Sequence, residues 1–496
     1  MAMKTSVSVL LVLGVSLSMG FLGVASARSA SPGAPIASAA STAPSPSWWG
    51  KAAALASVAT TNNLAASSRS TVSVGPNVDV SDEPGPQSET SIAINSENPK
   101  EIVAGSNEIF RLPMRAYFSS NAGKTWAGVD LPLPPPTQAQ GIDFGSDPGV
   151  AWDTLGNVYY SYIVVFFSKG FAGVVGTEMA VARSSDGGQT WTATFFDLQT
   201  GASMFNDKPM ITVDTNPGSS FVNRVYVTWD AAGGPLGIQV SSSSDHGVTF
   251  SAPVSAGIPK GIGADPFVGP DGALHVAWQD FHDNLELVST STDGGATFSA
   301  PVTIAPTMAS FDVGVPAQAF RRALIYPACG ADASQGPNRG TLYCSWTDET
   351  TANGMDAFVA RSTDGGMTWS APVRVNADPT GSANDQFNQW LAVDPTDGSI
   401  SVSFYDTRND PTHVSTDVFV AWSTDGGVTF GANIQVTSAP TNEAASGADF
   451  GNQYGDYEGI AAFGGRIHPV WTDRRASVAG VPGLDEEVFT ATIIVT

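Results

Sequence analysis

Short apolar stretches alternate with polar turns along almost the whole chain beyond residue 70. Within many stretches the larger apolar residues alternate with small or polar ones, as in Met179–Arg183, Leu285–Ser289 and Val418–Trp422. A period of two residues is that of a β-strand, because successive side chains point to opposite faces of the sheet. The pattern therefore predicts an all-β protein built from many short strands.

An eight-residue pattern, Ser-x-Asp-x-Gly-x-Thr-aromatic, occurs six times between these strands. An Asp side chain can cap its own turn by accepting backbone N–H bonds, and Gly permits a positive φ. The Thr and the aromatic residue begin the next strand and pack inward. The pattern is that of a β-hairpin turn, and it assigns a structural role to Asn121, which stands in the Asp place of the first copy, and to Asp186, Asp245, Asp293, Asp364 and Asp425.

Each turn is surrounded by further strand patterns in a constant order. The strand before the turn follows another that ends in aromatic-x-Asp, as in Leu342–Asp348, and a small apolar strand precedes both, as in Trp390–Val393. A fourth strand, such as Ala371–Val375, follows the turn. Four antiparallel strands repeated at a spacing of roughly 50–70 residues are typical of the blades of a β-propeller.

The innermost strands indicate seven such units, which begin near Glu89, Asp147, Asp207, Asp265, Arg322, Asp385 and Asp456. The last unit ends without a fourth strand, and the segment Thr71–Val78 has the pattern of the missing one. Pairing of this segment with the last blade would close the ring and remove its open edges. We predict a seven-bladed propeller over residues 70–496 that an N-terminal strand closes. A six-bladed ring with an accessory pair of strands is the alternative.

The composition of the 496 residues excludes several classes of function. The formal charge is −24, from 22 Lys+Arg against 46 Asp+Glu, so the chain lacks the basic surface that a nucleic-acid-binding protein needs. Two cysteines cannot form a disulfide scaffold or a cysteine-rich zinc module, and five histidines leave little material for a histidine-built metal site. We therefore expect no nucleic-acid partner.

The N-terminal residues indicate export. Residues 1–27 combine Lys4, an apolar run and an Ala-x-Ala cleavage site, which are the parts of a signal peptide; a membrane anchor is the alternative. Residues 28–69 are rich in Ala, Ser and Pro and predict a flexible linker. We expect a secreted monomer without a membrane span after cleavage. In an oxidising compartment Cys329 and Cys344 would form a disulfide, with two buried free thiols as the alternative.

Polar residues gather where the first strands begin and the second strands end, at one mouth of the predicted ring. An acidic residue recurs before the first strand in most units, and the last unit adds tyrosines, arginines and a second acid. Paired carboxyl groups with different pKa values suit glycoside hydrolysis, and an arginine can hold a substrate carboxylate. The catalytic candidates are Asp456, Tyr457, Glu458, Asp207 and Asp385. The substrate-binding candidates are Arg474, Arg475, Arg408, Arg322, Tyr454 and Asp265.

Other interpretations of these residues stay open. A residue that recurs in every blade can be structural, because an Asp can cap the inner strand of its blade. Tyr457 or Tyr454 could act as a nucleophile beside Glu458, although adjacent residues of a strand point to opposite faces. Tyr405 and Tyr457 could stack on sugars if they are exposed. The carboxyl groups could also hold Ca²⁺, but no stretch has the spacing of an EF-hand loop, and we expect no other metal or cofactor.

The six turns resemble the Asp-box (BNR) repeats of the sialidase superfamily, and the resemblance covers nearly all of residues 88–496. It implies a propeller with peripheral Asp-boxes but not a particular activity, since the repeat also occurs in other glycosidases, lyases, lectin-like propellers and receptors. Phe110–Pro113 is similar to the family's first arginine motif, Tyr/Phe-Arg-Ile-Pro. Its position departs from the family, in which the motif precedes the first Asp-box by a longer stretch, and known sialidases have six blades.

Three functions remain as hypotheses. The first is an exported, glycan-active protein, in particular an exo-acting glycoside hydrolase on a terminal sugar, with an acidic sugar as one option. The second is a non-catalytic propeller at the cell surface that binds carbohydrate or protein. The third is a structural protein of the envelope or matrix.

Overall fold

The computed structural model describes residues 72–495, apart from 136–141, 169–172, 202–205, 232–236, 258–260, 351–353 and 476–485. The predicted signal peptide, residues 1–27, and the predicted linker, residues 28–69, lie outside the described residues. The described residues form strands, turns and loops and no helix. Second strands of the blades are buried at every position, as in Val225–Ala231, whereas strands such as Met355–Ser362 keep part of the alternation that the sequence predicts.

The strands of the first half of the chain are β1 (Val72–Val74), β2 (Val78–Asp79), β3 (Gln87–Ile94), β4 (Ile102–Glu108), β5 (Arg115–Ser119), β6 (Ala127–Asp130), β7 (Ile142–Trp152), β8 (Val158–Phe167), β9 (Val174–Ser184), β10 (Thr192–Thr200), β11 (Asn206–Val213), β12 (Val225–Ala231), β13 (Gly237–Ser243), β14 (Val254–Ser255), β15 (Ile262–Val268) and β16 (Leu274–Asp280). Those of the second half are β17 (Leu285–Ser291), β18 (Val302–Pro306), β19 (Asp312–Val315), β20 (Gln318–Leu324), β21 (Ala328–Ala331), β22 (Leu342–Glu349), β23 (Met355–Ser362), β24 (Val373–Arg374), β25 (Gln386–Val393), β26 (Ile400–Asp406), β27 (Asp417–Ser423), β28 (Ile434–Gln435), β29 (Gly459–Phe463), β30 (Arg466–Asp473), β31 (Glu487–Thr490) and β32 (Ile493–Val495).

Blades 1 to 6 are four-stranded antiparallel sheets, formed in turn by β3–β6, β7–β10, β11–β14, β15–β18, β21–β24 and β25–β28. In blade 3 the start of the first strand pairs with the end of the second, as Asn206 does with Ala231. We call this edge of the ring the mouth face. The start of the second strand pairs with the end of the third, as Val225 does with Ser243, so the Asp-box turns lie at the opposite edge.

Blade 7 is closed by the N-terminal strands. β29 and β30 are its first and second strands, and both β31 and β32 pair with β30 as the third. β1 pairs with β32 at Val72 and Val495, and β2 pairs with β31 at Val78 and Thr490. The predictions of seven blades and of closure by an N-terminal strand are therefore confirmed, and the six-bladed alternative is wrong.

The Asp-box turns are held by the hydrogen bonds that their sequence predicts. In blade 2 the Asp186 Oδ1 atom accepts the Thr190 backbone N–H at 2.9 Å, and Asp186 Oδ2 accepts the Thr190 hydroxyl at 2.6 Å. Burial opposes the shift, but hydrogen bonds from Thr190 and Ser184 together outweigh it and lower the pKa of Asp186 to about 2. Asn121 replaces Asp in blade 1, and its Oδ1 atom accepts the Thr125 N–H at 3.0 Å.

The hydrophobic core lies between neighbouring blades. A tryptophan near the end of the second strand is almost fully buried in four blades: Trp229, Trp278, Trp346 and Trp471. Trp278 of blade 4, for example, packs in one cluster with Tyr226 and Ile238 of blade 3. Truncating such a side chain to Ala costs about 3–5 kcal/mol, so these contacts between blades stabilise the ring.

A two-stranded hairpin, β19 and β20, lies between blades 4 and 5 in the chain and belongs to neither. The prediction that the fifth unit begins near Arg322 is therefore wrong, because the segment around Arg322 pairs with β19 across a two-residue connection. The first strand of blade 5 is β21 instead. It holds Cys329, which lies opposite Cys344 on β22 and is bonded to it in a disulfide.

Candidate functional site

The first strands of blades 1, 2 and 3 each contain a β-bulge on the mouth-face side. The bulges place Glu89, Asp147 and Lys208 at positive φ, with values of 53°, 61° and 53°. A bulge re-aims a side chain, and a left-handed conformation of a residue other than Gly costs on the order of 1–3 kcal/mol. Such strain concentrates at functional sites, so three strained charged residues in consecutive blades mark this region.

The re-aimed side chains meet residues from distant parts of the ring. The Lys208 Nζ atom lies 2.5 Å from Asp456 Oδ2, although blade 3 and blade 7 are far apart in sequence. Arg321 of β20 bridges two carboxylates, with Nε 2.5 Å from Asp456 Oδ1 and Nη2 2.8 Å from Glu89 Oε1. The axial cluster comprises these groups and their carboxyl neighbours: Glu89, Asp147, Asp207, Lys208, Arg321 and Asp456.

The carboxyl groups of the axial cluster differ widely in pKa. Burial and the charge of Asp147 raise the pKa of Asp207 well above its ordinary value, against an opposing effect of Lys208. The pKa of Asp147 is lowered, because the charge of Lys208 and a hydrogen bond from Asp207 outweigh the effect of burial. Burial and the charge of Asp456 raise the pKa of Glu89. The shifts therefore favour the protonated form of Asp207 and the ionised form of its neighbour Asp147.

The two cations stabilise the ionised carboxylates. Burial alone would raise the pKa of Asp456, but the charges of Arg321 and Lys208 outweigh it and the pKa lies below its ordinary range. The pKa of Lys208 is raised, since the charges of Asp456 and its other neighbours exceed the effect of burial. Removal of one partner would leave an uncompensated buried charge, which is strongly destabilising.

The β19–β20 hairpin is fixed over the axis by hydrogen bonds to the segment before Asp456. The Gln453 Oε1 atom accepts the backbone N–H groups of Phe320 and Arg321 at 3.1 and 2.9 Å. Gln318 Nε2 donates to the Gly455 carbonyl at 2.8 Å. Gly455 has φ of 79°, and a Cβ atom there would lie 2.7 Å from the Glu89 backbone nitrogen. Only glycine allows this approach, which brings Glu89 and Asp456 together on Arg321.

A small cavity of about 80 Å³ lies beside the axial cluster and is lined by residues of the first strands. Met210, Trp390, Tyr457 and Ile460 are among the residues that line it. Asp265 also lines it; burial raises the pKa of Asp265 to about 7, although its Oδ2 atom accepts the Cys329 N–H at 2.6 Å. The cavity has room for water molecules rather than for a sugar ring.

The structure separates the catalytic candidates of the sequence. Asp456 and Asp207 lie in the axial cluster. Tyr457 is buried, and its hydroxyl donates to the Pro148 carbonyl at 3.3 Å. Asp385 is buried outside the cluster and accepts the Met355 N–H at 3.2 Å.

Glu458 is paired with Tyr405 rather than with Tyr457. The Tyr405 hydroxyl donates to Glu458 Oε1, the Thr90 hydroxyl donates to Oε2, and the Thr472 N–H lies 3.2 Å from Oε1. Burial raises the pKa of Glu458 to about 8. The expectation that Tyr405 and Tyr457 are exposed for stacking on sugars is wrong, because both rings pack inside the ring of blades.

Each substrate-binding arginine predicted from the sequence is engaged by the protein itself. Arg408 and Arg475 bind the Asp two residues earlier, Asp406 and Asp473, and the Arg475 guanidinium also lies over the Phe489 ring. These two Asp-x-Arg pairs occupy equivalent places in blades 6 and 7. Their recurrence indicates a role in blade architecture.

The remaining binding candidates are also engaged. The Arg474 Nε atom lies 3.2 Å from Glu486 Oε1, and the Arg322 Nε atom lies 2.8 Å from Asp312 Oδ2. Tyr454 is fully buried, and its hydroxyl accepts a hydrogen bond from Thr416 at 3.0 Å. Each of these groups therefore has a partner within the described residues.

Sequence reasoning missed part of the site. It treated the recurring acidic residues as equivalent. In the structure Glu89 and Asp147 lie in the bulges of their strands, whereas Asp207 lies just before the bulge of its strand. It chose Arg322 as a ligand, but Arg321 is the residue that reaches the axis. Arg321 and Arg322 stand where most other units carry an acidic residue, and this departure from the repeat can be seen in the sequence. The position of their hairpin over the axial cluster cannot.

The arginine of the Phe110–Pro113 motif lies away from the axial cluster. Arg111 binds Glu83 at 2.6 Å and Asp130 at 3.2 Å in blade 1.

Among the described residues, no three His, Cys, Asp or Glu side chains are arranged to hold a metal ion, so the Ca²⁺ hypothesis gains no support. No helix in the described part of the chain is long and apolar enough to cross a membrane.

Comparison with known proteins supports the repeat and the fold. A family model of the BNR/Asp-box repeat matches residues 360–371, which contain the blade 5 turn around Asp364. This match confirms the repeat to which the resemblance points. No curated protein sequence matches the chain significantly.

Several solved structures are distantly similar. A leech intramolecular trans-sialidase in complex with 2,7-anhydro-Neu5Ac is 12% identical with a TM-score of 0.44, over 64% of this chain and 65% of that chain, just under two thirds of its length. The Hadza microbial sialidase Hz136 is 15% identical with a TM-score of 0.42, over 78% and 75% of the two chains. An α-L-arabinofuranosidase from Fusarium graminearum is 13% identical with a TM-score of 0.44, over 85% and 98%. At this distance the comparisons concern the fold, and any function has to be argued from the axial cluster.

Proposed function

We propose that this chain is an exported, monomeric, glycan-active protein that removes a terminal sugar at the mouth face, with Asp207 as the proton donor. One observation carries the proposal: Asp207 and Asp147 are hydrogen-bonded neighbours whose pKa values are shifted in opposite directions, that of Asp207 upward and that of Asp147 downward. Opposite shifts of this kind assign acid and base roles in glycosidases. Asp207 is also the half-buried member of the axial cluster, whereas Asp147 is buried.

Hydrolysis of a glycosidic bond requires a proton donor and negative charge near the anomeric carbon. Asp207 would donate its proton to the glycosidic oxygen as the bond to the anomeric carbon breaks, and a water oxygen would then bond to that carbon and release a proton. The transition state resembles an oxocarbenium ion. The ionised form of Asp147, next to Asp207, would favour the positive charge that develops. Asp147 would keep Asp207 oriented through their hydrogen bond.

Export is part of the same proposal. Residues 1–27 have the composition of a signal peptide, and the Cys329–Cys344 disulfide suits an oxidising compartment. A glycan-active protein would meet its substrate there. Measuring the mature N-terminus of the protein secreted from the native cell would test this part, and a chain that keeps residues 1–27 would contradict it.

A binding propeller is the second candidate, and one observation favours it. Glu89, Asp147 and Asp456 are only 2%, 5% and 3% exposed and are bonded within the protein. Groups so completely engaged can hold the blades together without reacting. A glycan would then be held by the outer loops of the mouth face and left intact.

Incubation of the full chain with a broad panel of glycans, followed by mass spectrometry of the products, separates the two candidates. Release of a single terminal sugar by the wild-type chain, lost in Asp207→Asn, is the result we expect. Asp283→Asn is the matched control, since Asp283 is an exposed carboxylate at the same face of blade 4. Binding without release in all three chains would favour the second candidate.

A further inference from the structure

Two buried glutamates face one arginine at the mouth-face end of blade 7. They are Glu443, in the segment of residues 441–456 that ends at Asp456, and Glu486, which directly precedes β31. We call residues 441–456 the mouth segment. We propose that Glu443 and Glu486 form a pH-sensitive clasp, which holds the mouth segment in place while the two carboxyl groups share one proton and releases it when both are ionised.

Both glutamate side chains are fully buried and face the same guanidinium. The Arg474 Nε atom lies 3.2 Å from Glu486 Oε1 and 3.9 Å from Glu443 Oε2. The Arg474 Nη1 atom is engaged elsewhere, since it donates to the Asn442 carbonyl at 3.0 Å. Neither glutamate Oε2 atom receives a hydrogen bond from another group of the described residues. Two buried carboxyl groups therefore depend on one edge of a single guanidinium.

The charges of these three groups do not balance when both glutamates are ionised. Two carboxylates against one guanidinium leave a negative charge that is buried away from water, which is costly. A proton removes this cost, because a protonated carboxyl can donate to its neighbour. Burial, the charge of Glu486 and the hydrogen bond between the two carboxyl groups raise the pKa of Glu443, against an opposing effect of Arg474. Burial raises the pKa of Glu486 as well.

The other titratable or charged groups that the described residues place around the pair are Arg474, Asp449, Tyr454 and Asp473. The Asp449 carboxyl is bonded within its own turn, and the Asp473 carboxylate is bonded to Arg475. Burial and the charge of Glu443 raise the pKa of Tyr454, so this tyrosine stays protonated where the glutamates titrate. The charge that changes with pH is therefore that of the glutamate pair.

Hydrogen bonds connect the pair to two sides of the axial cluster. The Glu443 carbonyl accepts an N–H of Gln453 Nε2 at 3.2 Å, and Gln453 Oε1 in turn accepts the backbone N–H of Arg321 at 2.9 Å. The Glu486 carbonyl accepts the N–H of Gln87, the first residue of β3, at 2.7 Å. Separation of the two glutamates would therefore loosen the supports of Arg321 and of β3.

The release is local to the mouth segment and the start of β20. Val313 and Val315 of the β19–β20 hairpin are buried in one cluster with Tyr405, so the apolar side of the hairpin stays packed. Gln453 has φ of 48°, a conformation that costs on the order of 1–3 kcal/mol and favours release once its anchor moves. The clasp would act whether the site cleaves a glycan or only binds one.

Hydrogen exchange of the full chain between about pH 5.5 and about pH 8.5, read by mass spectrometry and corrected for the chemical exchange rate, tests the clasp. Both pKa values are raised, so the closed arrangement is stable below about pH 4.5 and loses stability as pH rises through the folded-state values. Each pH unit can raise the opening constant up to about tenfold, because opening releases a proton. We expect the protection of peptides from residues 444–456 and 318–322 to fall by about tenfold or more across this range.

Three variants separate the clasp from other effects of pH. Glu443→Gln keeps a donor for Glu486 and removes the titration, so the protection of both peptides should vary less than about threefold with pH. Glu486→Gln removes the titration from the other side and answers the question if Glu443→Gln does not fold. Glu97→Gln is the control, since Glu97 is exposed and the variant should keep the pH dependence of wild type. The same pH dependence in the folded Gln variants of the pair as in wild type, or a loss of protection in all peptides together, would overturn the inference.

Discussion

Substitution of Asn77 by Ala tests the closure of the ring at a single side chain. Asn77 lies between β1 and β2, the strands that complete blade 7 from the N-terminal side. Its Nδ2 atom donates to the Val436 carbonyl of blade 6 at 2.9 Å. Its Oδ1 atom accepts the Ser438 N–H at 2.8 Å and an Arg475 Nη1–H at 2.7 Å. One amide thus joins the N-terminal strand to two blades.

The size of the effect follows from these bonds. A neutral hydrogen bond contributes about 0.5–1.5 kcal/mol and one to a charged group about 1.5–3 kcal/mol, while the freed side chain regains some rotamer entropy. The bonds are not independent, because Arg475 stays bound to Asp473 after the change. We therefore expect Asn77→Ala to lower the free energy of unfolding by about 2–3 kcal/mol.

Blade 6 supplies a matched control, in which the whole blade is continuous in sequence. Asn433 precedes β28 as Asn77 precedes β2. It accepts the Ala377 N–H at 2.6 Å and an Arg408 Nη2–H at 2.8 Å, and donates to the Val375 carbonyl at 3.1 Å.

Urea unfolding followed by tryptophan fluorescence would compare wild type, Asn77→Ala and Asn433→Ala. We expect the free energy of unfolding to fall by a similar amount in the two variants. An unchanged midpoint in Asn77→Ala beside a clear loss in Asn433→Ala would refute closure by the N-terminal strand.

Three further predictions concern stability. Glu286 is fully buried, and its carboxyl oxygens lack partners among the described residues. Burial and the charge of Asp348 raise the pKa of Glu286, so the folded state favours its protonated form. The stability of the fold is therefore lost as pH rises above about 4.5, the pKa of the group in the unfolded chain. Glu286→Gln should raise the thermal midpoint at pH 7.5 and flatten its decline above pH 5, and an equal slope in both chains would contradict this. The lowered pKa of Asp186 gives the opposite dependence of stability on pH. The stability from this turn is present above about pH 4 and is lost as pH falls through about 2. Asp186→Asn should therefore reduce the acid sensitivity of unfolding between those pH values, as followed by circular dichroism. Replacing Cys329 and Cys344 by Ser should cost about 3 kcal/mol, since the bond closes a loop of about 15 residues; an unchanged urea midpoint would contradict this.

The fold could be predicted because its signals are local and repeated. The turn around Asp186 needs only eight consecutive residues, and the same hydrogen bonds recur wherever those residues recur. Closure by β1 and β2 could be predicted because a blade with three strands exposes an edge that another strand must cover. The hairpin β19–β20 could not be predicted, since its alternating residues have the same period as those of a blade strand. It differs from a blade strand only in that β19 and β20 pair with each other.

The site could be predicted only in part, because its geometry depends on contacts between distant segments. The location at the mouth face follows from strand order, and Asp207 and Asp456 do lie there together. Lys208 lies in the β-bulge that follows Asp207, and the spacing of apolar residues in the sequence does not indicate this bulge. Burial of Tyr405 and Tyr457 depends on how neighbouring blades pack, and a pattern along one strand does not record it.

The dependence of sugar release on the leaving group tests the role of Asp207 most directly. A 2,4-dinitrophenyl glycoside departs without protonation, whereas an alkyl glycoside of the same sugar needs the acid. We predict that Asp207→Asn lowers kcat/KM for the alkyl glycoside by on the order of 10²–10⁴ and leaves that for the dinitrophenyl glycoside within about tenfold of wild type. Equal loss on both substrates, or no loss on either, would contradict Asp207 as the proton donor of the axial cluster.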